Sequence, residues 1–170
     1  MEAMNHDCCQ WWAGPHHTLD DFHRLMTSLV ERTDSQYSYL NTLVAVVDGE
    51  VVGVCTAYDG GRLHQLRQAF IDGARQSFGM DHSGIDDETS AGEFYIDSLC
   101  VAASYRKQGI AAALIRATID KARSLRLPLV GLLVDGGNPK AERLYTQIGF
   151  CRQDNTTWGG HPMHHMTYKL

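Results

Sequence analysis

The chain has 170 residues, of which 44% are hydrophobic and 21% charged. That is enough apolar material for one sizeable core, so residues 1–170 are expected to form one domain. Fifteen Lys+Arg against twenty Asp+Glu give a net charge of -5, which argues against nucleic-acid binding, because affinity for a phosphate backbone rests on clustered basic side chains. No apolar run approaches the ~20 residues that span a bilayer, and residues 1–10 lack the basic-then-apolar pattern of a secretory signal. No membrane association is expected, and a cytoplasmic location is the default.

Thr18 is suited to cap a helix, with Asp20 and Asp21 in the first turn, where the helix dipole favours negative charge. Leu19, Phe22, Leu25, Met26, Leu29 and Val30 then recur at helical spacing and predict a helix over residues 19–31. Residues 42–47 form a β-rich apolar run, Asp48-Gly49 is a hairpin signal, and residues 51–58 supply the second strand. After Gly60-Gly61, the residues Leu63, Leu66, Phe70, Ala74 and Phe78 mark one face of an amphipathic helix. The polar loop that follows carries Asp81, Asp86, Asp87, Glu88 and Glu93 with no Lys or Arg. Residues 59–92 therefore read as an insertion, its loop either a solvated surface or a lid over a site.

Residues 94–101 read as a strand and residues 109–125 as a helix with Ile110, Ala113, Leu114, Ala117 and Ala122 inward. Pro128 precedes a short buried strand over residues 129–134. Asn138-Pro139 opens a helix that Gly149 closes, and residues 150–152 and 163–169 are expected as final strands. A hairpin followed by alternating strands and helices gives an α/β class with a mixed sheet flanked by helices. The odd cysteine count (Cys8, Cys9, Cys55, Cys100 and Cys151) and the lack of Cys-x-x-Cys argue against a disulfide framework or a zinc ribbon. Cys55 and Cys100 lie in apolar runs and read as core thiols. His161, His164 and His165 cluster near the end, and His6, His16 and His17 near the start, without metal-ligand spacing. No metal is expected.

Chemistry concentrates where the strand Leu99-Cys100-Val101 leads through a short loop into Arg106-Lys107-Gln108-Gly109-Ile110-Ala111. A glycine that opens a helix exposes unpaired N–H groups at the positive end of the dipole, beside two cationic side chains. The combination reads as a pyrophosphate cradle. Neither a Walker loop nor a Gly-x-Gly-x-x-Gly fingerprint is present.

These residues resemble the GNAT N-acetyltransferase family. Arg106-Lys107-Gln108-Gly109-Ile110-Ala111 matches its Arg/Gln-x-x-Gly-x-Gly/Ala signature, and Tyr95-Ile96-Asp97-Ser98-Leu99-Cys100-Val101 looks like its central strand. The run from Asn138 through Ala141, Leu144 and Tyr145 to Gly149-Phe150 is similar to its second signature, Asn-x-x-Ala-x-x-Leu-Tyr-x-x-x-Gly-Phe. The resemblance implies acetyl-CoA as co-substrate and an amine, of small-molecule or peptide nature, as acceptor. It implies that Leu99, Cys100 and Val101 line the pantetheine arm, that residues 106–111 bind the pyrophosphate, that Asn138 contacts the cofactor, and that Tyr145 is the general acid near the thioester sulfur. Direct transfer to the amine is expected over an acetyl-cysteine at Cys100. The rival is a non-catalytic acyl-CoA-binding or regulatory interaction module on the same fold.

A lysine-like amine with a pKa of ~10.4 is neutral only about once in a thousand molecules at pH 7, equivalent to roughly 4 to 5 kcal/mol, so a base should assist. Strand alternation puts Glu93, Tyr95 and Asp97 on one face, until a bulge disturbs the count, and the resemblance turns this face toward the acceptor. Asp97 is the first candidate base and Glu93 the second, directly or through water. Compared with the family, the first strand is missing. The edge at residues 42–47 should then be covered by residues 1–12, which would be the tail of the first helix, or by a second copy in a homodimer.

Overall fold

Periodic apolar runs become the elements of the computed structural model, which describes residues 6–170. Cys9, Trp12 and Ala13 fall on one side of α1 (His6–Ala13) and are buried. In α2 (Leu19–Glu31) the Thr18 side chain accepts from the Asp21 N–H, and the Asp21 carboxylate accepts from the Thr18 N–H, a reciprocal cap. The hairpin of β1 (Thr42–Val47) and β2 (Glu50–Asp59) turns through Asp48 and Gly49, both at positive φ. Then come α3 (Leu63–Phe78), β3 (Glu93–Val101), α4 (Ile110–Ser124), β4 (Leu129–Asp135), α5 (Pro139–Ile148), β5 (Cys151–Trp158) and β6 (His161–Lys169).

The strands form one mixed sheet in the order β1-β2-β3-β4-β6-β5. Only β3 and β4 run parallel, joined by the crossover through α4. One face packs Cys55, Ala57, Ile96, Leu132 and Met166 against Leu114, Ile115 and Ile119 of α4. On the other face Tyr58 and Tyr95 meet Leu63 and Leu66 of α3. A second apolar cluster ties α1, α2 and α3 together through Trp12, Phe22, Leu25, Leu29, Phe70 and Phe78. Full burial of Phe22 and Leu29 contributes about 2–3 kcal/mol apiece. Gly73 lets α3 approach α2, since a Cβ there would come 2.6 Å from Leu25 Cδ1.

Three expectations are corrected. Residues 6–12 do not cover the β1 edge: they belong to α1, whose buried side chains sit in the α2–α3 cluster, while residues 1–5 lie outside the described residues. Val44 and Val46 remain 52% and 55% exposed. The edge carries a register shift between Ala45 and Val46, a device that bends an edge strand away from further pairing. The penultimate strand, expected over residues 150–152, extends to Trp158. It is an exposed edge with polar residues on both faces, so it offers no alternation, and Gly159 and Gly160, both at positive φ, make its turn. Cys55 is a core thiol, but Cys100 is only half-buried.

Candidate active site: a splayed strand pair above a helix N-terminus

The parallel pairing of β3 with β4 runs from Glu93 opposite Leu129 to Ile96 opposite Leu132 and then stops, although β3 continues to Val101 and β4 to Asp135. The cause lies one strand away. Against β2, Ser98 faces Thr56 and Ile96 faces Ala57, so Asp97 is an extra, bulged residue. A bulge bends its strand, and here the bend opens a cleft between residues 97–101 and 133–135. Leu99 and Cys100 are half-buried along it and Val101 is buried. Past Ile96, β3 has lost its β4 partner, leaving backbone groups on that side for a ligand.

At the end of β3 the chain turns through Lys107 (φ 62) and Gly109 (φ 83) into α4. A Cβ on Gly109 would meet nothing within 4 Å, so the left-handed backbone, not crowding, calls for glycine. No side chain caps α4 and no acid lies in its first turn, so its leading N–H groups remain as donors to an anion. Arg106 Nε donates to Val101 O at 2.9 Å and ties the loop to the end of β3. Lys107 and Gln108 are exposed, Gln108 bonding Ser104 O at 3.3 Å, while Ile110 and Ala111 begin the helix half-buried. The cleft and the cradle adjoin along one strand. Their open backbone, positive helix end and two basic residues fit a pantetheine arm followed by a diphosphate.

Tyr145 on α5 is half-buried, its ring 5.9 Å from that of Phe150. Burial pushes its hydroxyl up to about 12, and the Cys55 thiol adds to the effect, so the phenol is protonated at neutral pH and able to donate. Asn138 is committed locally, its side-chain oxygen accepting from the Ala141 N–H at 3.2 Å as the cap of α5.

The two candidate bases have different surroundings. Asp97 is partly exposed, with Oδ1 accepting from Gln36 Nε2 at 3.3 Å and Oδ2 from Ser98 Oγ at 2.7 Å. Burial raises its pKa to about 6, helped by the negative charge of Glu88 and opposed by those two hydrogen bonds and by Arg67. Glu93 is buried and engaged, its carboxylate 2.7 Å from His165 Nε2 and accepting from Thr89 Oγ1 at 2.6 Å. It occupies the space a side chain at Gly131 would need. The bond to Glu93 raises the pKa of His165. Asp97 is thus a partly exposed carboxylate of raised pKa, and Glu93 is buried and tied to β6.

The acidic loop is neutralised from outside itself. Arg67 of α3, 5% exposed, reaches Asp87 and the carbonyls of Ile85 and Asp86 at 3.0, 3.3 and 3.0 Å, and pairs with Glu88. Tyr58 Oη donates to Glu88 at 2.9 Å, and Arg75 pairs with Asp81 at 3.0 Å. Sequence reasoning missed Arg67 because it follows Leu66 on a helix judged by its apolar positions. It missed Gln36, a lone polar residue between elements, and it weighed His165 only as a metal ligand. Among the described residues no group of three or more His, Cys, Asp or Glu is gathered to hold a metal, and no helix is long and apolar enough to cross a membrane.

Comparison with known proteins agrees with this geometry. The family model "Acetyltransferase (GNAT) family" matches residues 3–150. The chain is 36% identical over 74 residues (44% of this chain, 22% of the relative) to a mycothiol acetyltransferase of Nocardiopsis dassonvillei. It is 39% identical over 66 residues (39% of this chain, 23% of the relative) to the chloroplastic GCN5-related N-acetyltransferase 6 of Arabidopsis thaliana. The chain thus spans under a quarter of the length of these curated relatives. Its fold matches an N-acetyltransferase from Staphylococcus aureus Mu50 with a TM-score of 0.77 at 22% identity, over 90% of this chain and 83% of that one. A second solved acetyltransferase matches with a TM-score of 0.71 at 22% identity, over 99% and 97%. The matched model, both signature segments and the splayed strand pair coincide on the same residues: the chain belongs to the GNAT acetyltransferase family.

Proposed function

We propose that the protein is an N-acetyltransferase that moves acetyl from acetyl-CoA directly to an amine. The observation that carries this reading is the bulge at Asp97: one backbone irregularity both opens the β3–β4 cleft and sets a carboxylate of raised pKa beside it. Acetyl-CoA supplies the activated thioester. The N-terminus of α4 with Gly109, Lys107 and Arg106 holds the diphosphate, and the free edge of residues 99–101 holds the pantetheine. Asn138 holds the start of α5 in place for Tyr145.

At pH 7 a carboxyl with a pKa of about 6 is mostly ionised. Its mismatch with an amine is smaller by ~3 kcal/mol than that of an ordinary aspartate. Asp97 takes one proton from the ammonium, which frees the nitrogen lone pair to bond to the acetyl carbon, and the second proton passes to solvent as the C–S bond breaks. Tyr145 gives its proton to the departing thiolate, and the charges balance with solvent afterwards. Glu93 with His165 fixes β6 against the base of the cleft.

The test is thiol release from acetyl-CoA against a panel of small amines and amino-terminal peptides, with product mass measured. Acetylated amine with stoichiometric CoA is the expected result. Tight acetyl-CoA binding without transfer to any amine would favour a binding module and refute the enzyme.

A further inference from the structure

Gln36 lies in the segment between α2 and β1, far in sequence from every motif residue. Its backbone is fixed at both ends: the N–H donates to Leu66 O of α3 at 3.1 Å, and the carbonyl accepts from Asn41 Nδ2 at 3.1 Å. The residue is only 4% exposed. Its side-chain nitrogen donates to Asp97 Oδ1, 3.3 Å away, while Asp97 Oδ2 accepts from Ser98 Oγ at 2.7 Å. With the amide turned this way, Oε1 is buried and has no hydrogen-bond partner among the described residues. The reverse orientation would set two oxygens against each other.

A buried acceptor left unpaired is unfavourable, and an apolar side chain of similar shape would avoid it. What the amide supplies in return is the N–H aimed at Asp97. A donor to an ionised carboxylate makes a stronger bond than one between neutral groups, which offsets the unpaired oxygen while Asp97 is charged. Ser98 follows Asp97 on the same bulged strand and moves with it. Gln36 reaches Asp97 from another element, so it fixes the carboxylate against the body of the fold.

That body is α3. Leu66 O holds the Gln36 backbone, and the next residue, Arg67, pairs with Glu88, whose charge acts on Asp97. The other titratable groups facing Asp97 are Tyr58 and Cys55 of β2, Tyr95 of β3, and Tyr37. Burial pushes all four up, so they stay neutral where Asp97 titrates and leave Glu88 and Arg67 as its charged neighbours.

We propose that Gln36 is a positioning residue for Asp97, holding the carboxylate in one orientation from a backbone locked onto α3. The proposal rests on the acetyltransferase reading for what the carboxylate does, and on the geometry alone for how it is held. The α3 insertion then serves the site as a frame for its base.

The test reads the link first in the wild type, with the full chain labelled for magnetic resonance. One Gln36 side-chain N–H signal should move with pH at the same midpoint as the Asp97 carboxyl carbon, and Asp97→Asn should flatten it. Gln36→Met removes the donor and the unpaired oxygen together, so Tm should change little. The Asp97 midpoint should rise by about one pH unit, because a bond to the charged form is lost. From a midpoint of about 6, that lowers kcat/KM about fivefold at pH 6. At pH 8.5 the carboxyl is ionised in both proteins, yet kcat should remain down by about tenfold with the KM for acetyl-CoA unchanged, since the charge is present but no longer held in place. A Gln36 signal that ignores the ionisation of Asp97, or a Gln36→Met variant that keeps the wild-type midpoint, would overturn the positioning role. Full kcat in that variant at pH 8.5 would overturn it too. Coupled Gln36 and Asp97 signals in a protein that transfers acetyl to no amine would keep the link and overturn the acetyltransferase reading.

Discussion

Asp97→Asn should inactivate the protein and stabilise it at the same time. The folded carboxyl is pushed up from its ordinary value of 3.8 to about 6, with burial the main cause and the charge of Glu88 the second. Between about pH 4 and pH 6 the native state therefore binds more protons than the unfolded chain, so Asp97 lowers stability as pH rises through that window. Above it the full penalty is present. A shift of about two units corresponds to ~3 kcal/mol at pH 7, an upper bound. Asparagine removes the charge and keeps one oxygen for the Gln36 donor, while its amide N–H can donate to Ser98 Oγ in place of accepting from it, so a gain of about 1–3 kcal/mol is expected, or roughly 3–10 °C in Tm for a domain of this size. Turnover should fall by about 10²- to 10⁴-fold, the usual contribution of a general base. The acidic limb of kcat/KM, with its pKa near 6 in the wild type, should vanish. Urea melts at pH 4.5 and 7.5 together with a pH–rate profile decide it. The reasoning fails if the variant is no more stable at pH 7.5, or if it keeps the limb.

The other groups give sharper separations. Tyr145→Phe should cut turnover by roughly 10²-fold with acetyl-CoA affinity and Tm almost unchanged, because the hydroxyl makes no hydrogen bond among the described residues; wild-type turnover would remove it from the mechanism. At Gly109 both Ala and Asp meet the same left-handed backbone and the same open space, so each should cost about 1–2 kcal/mol of stability. Only Gly109→Asp should lower CoA affinity, tenfold or more by calorimetry, since only it sets a carboxylate against a diphosphate. Equal affinities in the two variants would move the cradle elsewhere.

The elements were legible where one face is apolar and the other wet. Thr18 with Leu19, Phe22, Leu25 and Leu29 marked α2 at its observed bounds, and Asn138-Pro139 with Gly149 marked α5 at its own. Periodicity failed on β5, whose residues are solvated on both faces, so the turn at Gly159-Gly160 was the only signal left. Near the candidate site, the positive-φ turn at Gly109 into α4 was readable because motif and local backbone coincide. The choice between Asp97 and Glu93 was not, although alternation put them on one face. It depends on His165, Gln36 and Gly131, each brought in from a different part of the chain. Such partners leave no local pattern, because a single hydrogen-bonding side chain needs no period.

The acidic loop shows how composition can mislead about a site. By composition alone, five carboxylates without a basic residue would form a field that attracts cationic acceptors, and neutralising Asp86, Asp87 and Glu88 would then raise KM. In the fold, Asp87 and Glu88 face Arg67, which is itself buried. Their removal strands a buried guanidinium, and breaking such a pair from one side costs about 3–5 kcal/mol. Loss of Tm, not a selective rise in KM, is the expected outcome. The loop's electrical influence on the site runs inward, through Glu88 to Asp97. Glu88→Gln should remove a negative neighbour from Asp97 and leave Arg67 less compensated, and both changes favour the Asp97 carboxylate. Its acidic limb in kcat/KM should therefore move to lower pH, while Tm falls. Combining Glu88→Gln with Asp97→Asn should abolish the limb, and the gain in Tm from Asp97→Asn should offset part of the loss from Glu88→Gln. A limb that stays near pH 6 in Glu88→Gln would show that burial alone sets the titration of Asp97 and that the loop has no part in tuning the base.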